Sequence, residues 1–175
     1  MAKPRLKNIN GHFVESDYEN ALISFLENEG WQYLFGESIP RANKKEVLYM
    51  EDLLQFLKDN NKEVKDEELQ RIADNVRLVG GESDFATLHK VYRWMIKGLP
   101  AVDKDGRLTT VYLIDFDEPD NNNFKVVNQF TVEYINNGET KNRRPDVLLY
   151  VNGMPVCVIE LKNPADANAT IQEAW

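Results

Sequence analysis

Apolar positions recur at helical spacing near the start of the chain. Tyr18, Ala21, Leu22, Phe25 and Leu26 fall on one face and predict a helix from Ser16 to a stop at Gly30. Ser16 and Glu19 have the spacing of a capping box, in which each side chain satisfies an orphan amide of the first turn. Trp31 to Ile39 reads as extended and closes at Pro40, which disfavours helix at the residue before it. From Lys44 to Gly98 the pattern returns to helix. Val47, Leu48, Leu53, Leu54 and Leu57 form one stripe, and Leu69, Ile72, Ala73 and Val76 a second. After Gly80-Gly81, Ser83 caps a third helix in which Leu88, Val91, Tyr92 and Met95 are expected to face inward.

Beyond Pro100 the period shortens. Strands are expected over Leu108 to Phe116, Lys125 to Ile135, Pro145 to Val151 and Pro155 to Lys162, separated by Asp120-Asn-Asn-Asn123, Asn136-Asn-Gly138 and Asn152-Gly153. The last two strands carry nearly unbroken apolar runs, Val147 to Val151 and Val156 to Ile159. Such runs suit strands covered on both faces, so this pair is expected at the sheet's centre. Asn168 onward reads as a further helix. The whole is read as one domain over 1–175, with 44–98 a helical insertion.

Length and charge narrow the function. The chain has 175 residues, a single domain's worth, and a net charge of -8, the wrong sign for gripping DNA through a basic surface alone. No apolar run reaches the roughly 20 residues that span a bilayer. Met1 to Asn10 is basic with no apolar stretch behind it, so no secretory signal is expected. Cys157 is the one cysteine, which excludes a disulfide framework and a multi-cysteine zinc site and fits a reducing cytoplasm.

Candidate chemistry gathers at the ends of the two apolar strands. Asp146 opens one, in Arg143-Arg144-Pro145-Asp146, and Glu160-Leu161-Lys162 closes the other. Glu-x-Lys alone says little, because it occurs also at Glu63-Val64-Lys65 and Glu139-Thr140-Lys141, and Pro-Asp recurs at Pro119-Asp120. Context separates them: only Glu160 ends an apolar strand, and only Asp146 begins the strand before it. Ionisable groups at a buried hairpin suggest a site. Pro-Asp, a hairpin, then Glu-x-Lys spells the signature of the PD-(D/E)xK nuclease superfamily. The stretch from Arg144 to Pro164 closely resembles the nuclease domain of the restriction (R) subunit of type I restriction-modification enzymes, as do Phe124 to Phe130 and the first-helix segment Glu15 to Gly30.

That resemblance implies an α/β (α+β) fold of restriction-endonuclease type, a central mixed sheet flanked by helices, and metal-assisted hydrolysis of double-stranded DNA. Asp146 and Glu160 would hold Mg²⁺, with the Leu161 backbone carbonyl as a further ligand and Lys162 activating the attacking water. Strand alternation would set Glu160 and Lys162 on one face and Leu161 on the other, in the core. Glu19 is a fourth catalytic candidate, since the superfamily often places an acid on the first helix; the capping box is its competing reading, and Glu15 is a weaker candidate for the role. Asn128 and Gln129 are candidate cleft residues or strand-surface polars, and Arg143 and Arg144 either contact phosphate or screen the acids. His12 and His89 are read as structural or solvated.

R subunits are much longer, with an ATP-driven translocase after the nuclease. This chain has no phosphate loop, and Gln172 lacks the tyrosine of the family's Gln-x-x-x-Tyr element. The expectation is a fragment, weakly active or inactive by itself, that works with motor domains of its own polypeptide and with modification and specificity subunits. A non-catalytic docking module joining motor to partners is the alternative. One geometric expectation follows from parity. A two-residue Asn152-Gly153 turn would pair positions summing to about 305 and set Asp146 and Glu160 on opposite faces, so a three-residue loop or a bulge is expected.

Overall fold

The computed structural model describes residues 14–41, 43–80 and 83–162, which form a mixed α+β fold. In chain order the elements are α1 (Glu15–Asn28), β1 (Gln32–Phe35), α2 (Met50–Asn60), α3 (Asp66–Arg77), α4 (Asp84–Lys97), β2 (Leu99–Val102), β3 (Leu108–Val111), β4 (Phe124–Asn128), β5 (Val132–Asn136), β6 (Glu139–Arg143), β7 (Val147–Val151) and β8 (Met154–Ile159). Among the described residues two compact units emerge, one drawn from 14–47, 124–150 and 155–162 and the other from 48–123 with 151–154. The helical range 44–98 lies almost wholly in the second unit, which continues through β2 and β3 to Asn123.

In the first unit, α1 begins one residue before Ser16. Its first turn is closed by Asp17, whose carboxylate accepts the Val14 amide at 3.0 Å while the Asp17 amide donates to the Val14 carbonyl at 2.9 Å. The expected Ser16–Glu19 box is therefore corrected: Asp17 takes that work and Glu19 is left for other contacts. The inward face is also rotated. Leu22, Ile23 and Leu26 pack toward Val126 and Val147, while Phe25 is exposed. Burying Ile23 and its two neighbours contributes roughly 1.5–3 kcal/mol each at most.

The sheet of this unit runs β1-β4-β7-β8. β1 and β4 are parallel, from Gln32 opposite Lys125 to Phe35 opposite Asn128, whereas β7 and β8 form a hairpin, so the sheet is mixed. The expected strand from Lys125 to Ile135 breaks at Gln129, whose φ of 53° turns the chain out of the ladder. β5 then pairs with β6 as a separate antiparallel ribbon through the left-handed pair Asn137-Gly138. The expectation that both apolar strands sit at the centre holds for β7, where Val147 and Tyr150 are buried. It fails for β8, which is the edge strand among the described residues; Val156, Cys157 and Val158 are exposed. The apolar run reports residue type, and strand order decides which of those residues are covered.

The second unit has its own core. Leu53, Phe56 and Leu57 of α2 meet Leu69, Ile72, Ala73 and Val76 of α3, together with Leu99 and Ala101 of β2, Val111 of β3, and Met154. The spacing of the first two helices predicts this packing. In α4 it misleads: Leu88 and Tyr92, expected inward, are exposed along with Phe85 and Ile96, and the helix buries no residue completely. Trp94 instead faces the core. No helix among the described residues is long and apolar enough to cross a membrane.

Candidate functional site

The hairpin between β7 and β8 closes in two residues. Asn152 and Gly153 both lie in the left-handed region, at φ 50° and 77°, the pattern of a type I′ turn that Asn-Gly favours. The expected three-residue loop is thus corrected. Parity would then part Asp146 from Glu160, yet the Asp146 carboxylate reaches the residue next to Glu160. Asp146 Oδ2 accepts a hydrogen bond from the Leu161 amide at 2.6 Å. The reason is position: Asp146 stands one residue before β7 and Glu160 one residue after β8. Alternation binds side chains inside a ladder, and both acids lie just outside it.

Electrostatics agree with this closeness. The Glu160 carboxyl is held above the usual carboxylate range, first by partial burial and second by the charge of Asp146, while Arg143 and Lys162 pull it down. Its side chain is exposed overall, so solvent screens these effects. Asp146, Glu160, Leu161, Lys162 and Arg143 are therefore brought to one place. Leu161 is only partly buried there, not sunk in the core as expected. Arg144 is exposed just beyond β6.

Glu19 belongs to a second group. Its Oε1 accepts from Asn128 Nδ2 at 2.6 Å, and both its oxygens lie 3.4 Å from Gln129 Nε2. Asn128 is buried, and its Oδ1 accepts from the Tyr33 hydroxyl at 3.0 Å. Burial is the main reason the Tyr33 hydroxyl titrates above its ordinary value; the Asn128 bond opposes the rise, and Glu19 and Glu27 add to it. Gln129 reaches Glu19 from a left-handed backbone, uncommon for a residue with a side chain and a conformation that often marks functional segments. Gly36 closes the group from behind, where an added Cβ would stand 2.6 Å from the Asn128 carbonyl.

Among the described residues no group of three or more His, Cys, Asp or Glu side chains forms a metal cage, so Glu19 does not join Asp146 and Glu160 in one. Glu15 sits in the first turn of α1, exposed. Tyr33 escaped the sequence reading, because a tyrosine in a short extended segment signals packing and its partner is 95 residues away. His89 is exposed and stacked on Phe85. His12, Asn163, Pro164, Gln172 and the helix expected from Asn168 lie outside the described residues.

Comparison with known proteins adds a lineage. Residues 12–175 match the family described as type I restriction enzyme R protein N terminus. The type I restriction enzyme HindI endonuclease subunit of Haemophilus influenzae is 27% identical over 175 aligned positions, covering 92% of this chain and 16% of its own length. A Methanocaldococcus jannaschii protein, provisionally named a type I restriction enzyme MjaIXP endonuclease subunit, is 31% identical over 174, covering 93% and 16%. The type I restriction enzyme EcoprrI endonuclease subunit of Escherichia coli is 28% identical over 172, covering 98% and 50%. The chain spans half or less of the length of these relatives.

Proposed function

Because the chain belongs to the type I restriction enzyme R protein N-terminus family, we propose that it is the metal-dependent endonuclease domain of an R subunit, hydrolysing phosphodiester bonds of double-stranded DNA through Asp146, Glu160 and Lys162. One observation carries the reading: the 2.6 Å bond from the Leu161 amide to Asp146, which ties the Pro-Asp segment to Glu160-Leu161-Lys162. That bond engages one Asp146 oxygen, and among the described residues the other accepts no hydrogen bond. The charge of Asp146 raises the cost of ionising Glu160, and a hard divalent cation would relieve that cost.

The donor set fits Mg²⁺, which ordinarily takes one or two carboxylates and keeps several waters rather than requiring an all-protein cage. Asp146 and Glu160 would hold it, with the Leu161 carbonyl beside them. When bound, the ion supplies Lewis-acid polarisation of the phosphate and a more acidic water. Lys162 orients the attacking water and offsets charge that develops on the phosphate. Arg143, whose charge acts on Glu160, and Arg144 are donors for the DNA backbone. Glu19, held by Asn128 and Gln129, is an additional acid on the helix side, and Gln129 is a further donor for the DNA backbone. ATP hydrolysis belongs to motor domains outside this chain, and recognition to modification and specificity subunits, in the cytoplasm.

Calorimetric titration with Mn²⁺ tests the site. Binding is expected in the native chain and is lost in Asp146→Ala; unchanged binding in that variant would overturn the assignment.

A further inference from the structure

We propose that α4 carries a second nucleic-acid contact, a phosphate-binding edge formed by Lys90, Arg93 and Lys97 in the second unit. These three residues and His89 line a cavity of about 330 Å³ whose remaining walls are Trp94, Gly98 and Pro100. No carboxylate lines it. Among the described residues none of the three cations is paired with an acid, although the chain as a whole carries eight more negative than positive charges. Acids were available throughout the sequence, and this edge has been left without them.

The edge is backed by packed residues. Trp94 packs toward the core of its unit, and the Lys90 ammonium lies over its ring, 4.9 Å from the centroid. Ser83 caps the start of the helix, its hydroxyl accepting the Ala86 amide at 3.2 Å, and Gly98 turns the chain away at φ 68°. Positions 90, 93 and 97 recur at helical spacing and share one side, with the exposed apolar residues Phe85, Leu88 and Tyr92 on another. Seven residues of helix rise about 10 Å. One strand of duplex DNA presents a phosphate about every 3.4 Å along the axis, so the edge matches about three of them. A cationic row backed by an aromatic wall suits a phosphodiester backbone better than an acidic protein face, which would be expected to sit on the apolar residues as well.

The proposal shares with the preceding section the premise that the chain meets duplex DNA, but it concerns different residues and needs no metal. The test is fluorescence anisotropy of a labelled, arbitrary-sequence duplex with the 175-residue chain in EDTA, from about 20 to 200 mM salt. Three neutralised phosphates give a log–log salt slope of about −2.7, or roughly 40-fold weaker binding between about 50 and 200 mM. Lys90→Gln/Arg93→Gln/Lys97→Gln is expected to remove most of that slope, and Arg93→Gln alone about one-third of it. Circular dichroism should show both variants folded, since all three side chains are exposed. Absence of duplex binding by the native chain at the lowest salt, or an unchanged slope in the folded triple variant, would overturn the proposal. Failure of the nuclease reading would show instead as intact binding in EDTA with no Mn²⁺ uptake.

Discussion

Replacing Asn152 by alanine should be among the most damaging single changes on the hairpin, and the structure supplies its own control. Asn152 is fully buried. Its Nδ2 donates to the Leu113 carbonyl at 2.9 Å and to Asn122 Oδ1 at 2.8 Å, and its Oδ1 accepts the Asn123 amide at 2.8 Å. Truncation leaves those partners without this side chain in a site sealed from water. At about 1 kcal/mol per lost bond, the loss is roughly 3 kcal/mol. The left-handed backbone at φ 50° adds about 1 kcal/mol for alanine, giving roughly 4 kcal/mol in all. Asn137 occupies the same place in the other Asn-Gly turn, at φ 51°, but is exposed and makes no side-chain hydrogen bond among the described residues. Asn137→Ala should therefore cost only the backbone share, about 1 kcal/mol. Urea unfolding followed by far-UV circular dichroism measures both; with a slope near 2 kcal/mol per molar, the midpoints should fall by roughly 2 M and 0.5 M. Equal shifts in the two variants would refute the reasoning, since the buried bonds would then contribute nothing.

Other outcomes follow from the two acid groups. Asp146→Asn keeps an acceptor for the Leu161 amide but removes the charge, so the Glu160 carboxyl pKa should fall toward its ordinary value, as followed by carbon-13 NMR titration; no movement would mean that burial alone raises it. Because the folded Glu160 holds its proton more tightly than the unfolded chain does, stability should fall as pH rises from the ordinary carboxyl value through the raised one, and Glu160→Gln should flatten that part of the pH profile. In the full-length subunit, Asp146→Ala, Glu160→Ala or Lys162→Ala should abolish DNA cleavage and leave ATP hydrolysis nearly intact; a folded, assembled variant losing both would count against the site. Gly36→Ala should destabilise the first unit by about 1–3 kcal/mol in thermal melts, because its Cβ would stand 2.6 Å from the Asn128 carbonyl and 2.7 Å from Phe130 Cα.

Much of this was legible in the amino-acid pattern, and the exceptions have physical causes. The amphipathic stripes of α2 and α3 face the core as spaced, since each has one apolar side to bury. β6 was missed because Glu139-Thr-Lys-Asn-Arg143 contains no apolar residue; its strand character comes from pairing with β5. α4 was read in the wrong phase because it carries apolar residues around most of its circumference, and only packing chooses Trp94 over Leu88 and Tyr92. Asp146 and Glu160 were found from their neighbours in sequence. Their convergence is expected from the sequence as well; that it is reached across a two-residue turn is not, because parity rules apply to paired residues and these two lie outside the ladder. The contacts of Glu19 join segments roughly a hundred residues apart, beyond the reach of any spacing rule.

The parallel pairing of β1 with β4 sets an order for the chain's assembly. Gln32 must find Lys125, with the whole run 48–123 lying between them. On a ribosome, β1 emerges long before its partner exists, and the intervening segment leaves the tunnel with α2 and α3 able to pack, although Met154 joins their core only after β7 has emerged. Closing so long a loop is entropically unfavourable, and prior packing of α2 against α3 shortens it by replacing part of a flexible span with a compact one. The interrupted unit should thus mature last, and with it the place where Asp146 meets Glu160. Pulse-labelled hydrogen exchange during refolding should find the amides of α2 and α3 protected before those of Val126 and Val127.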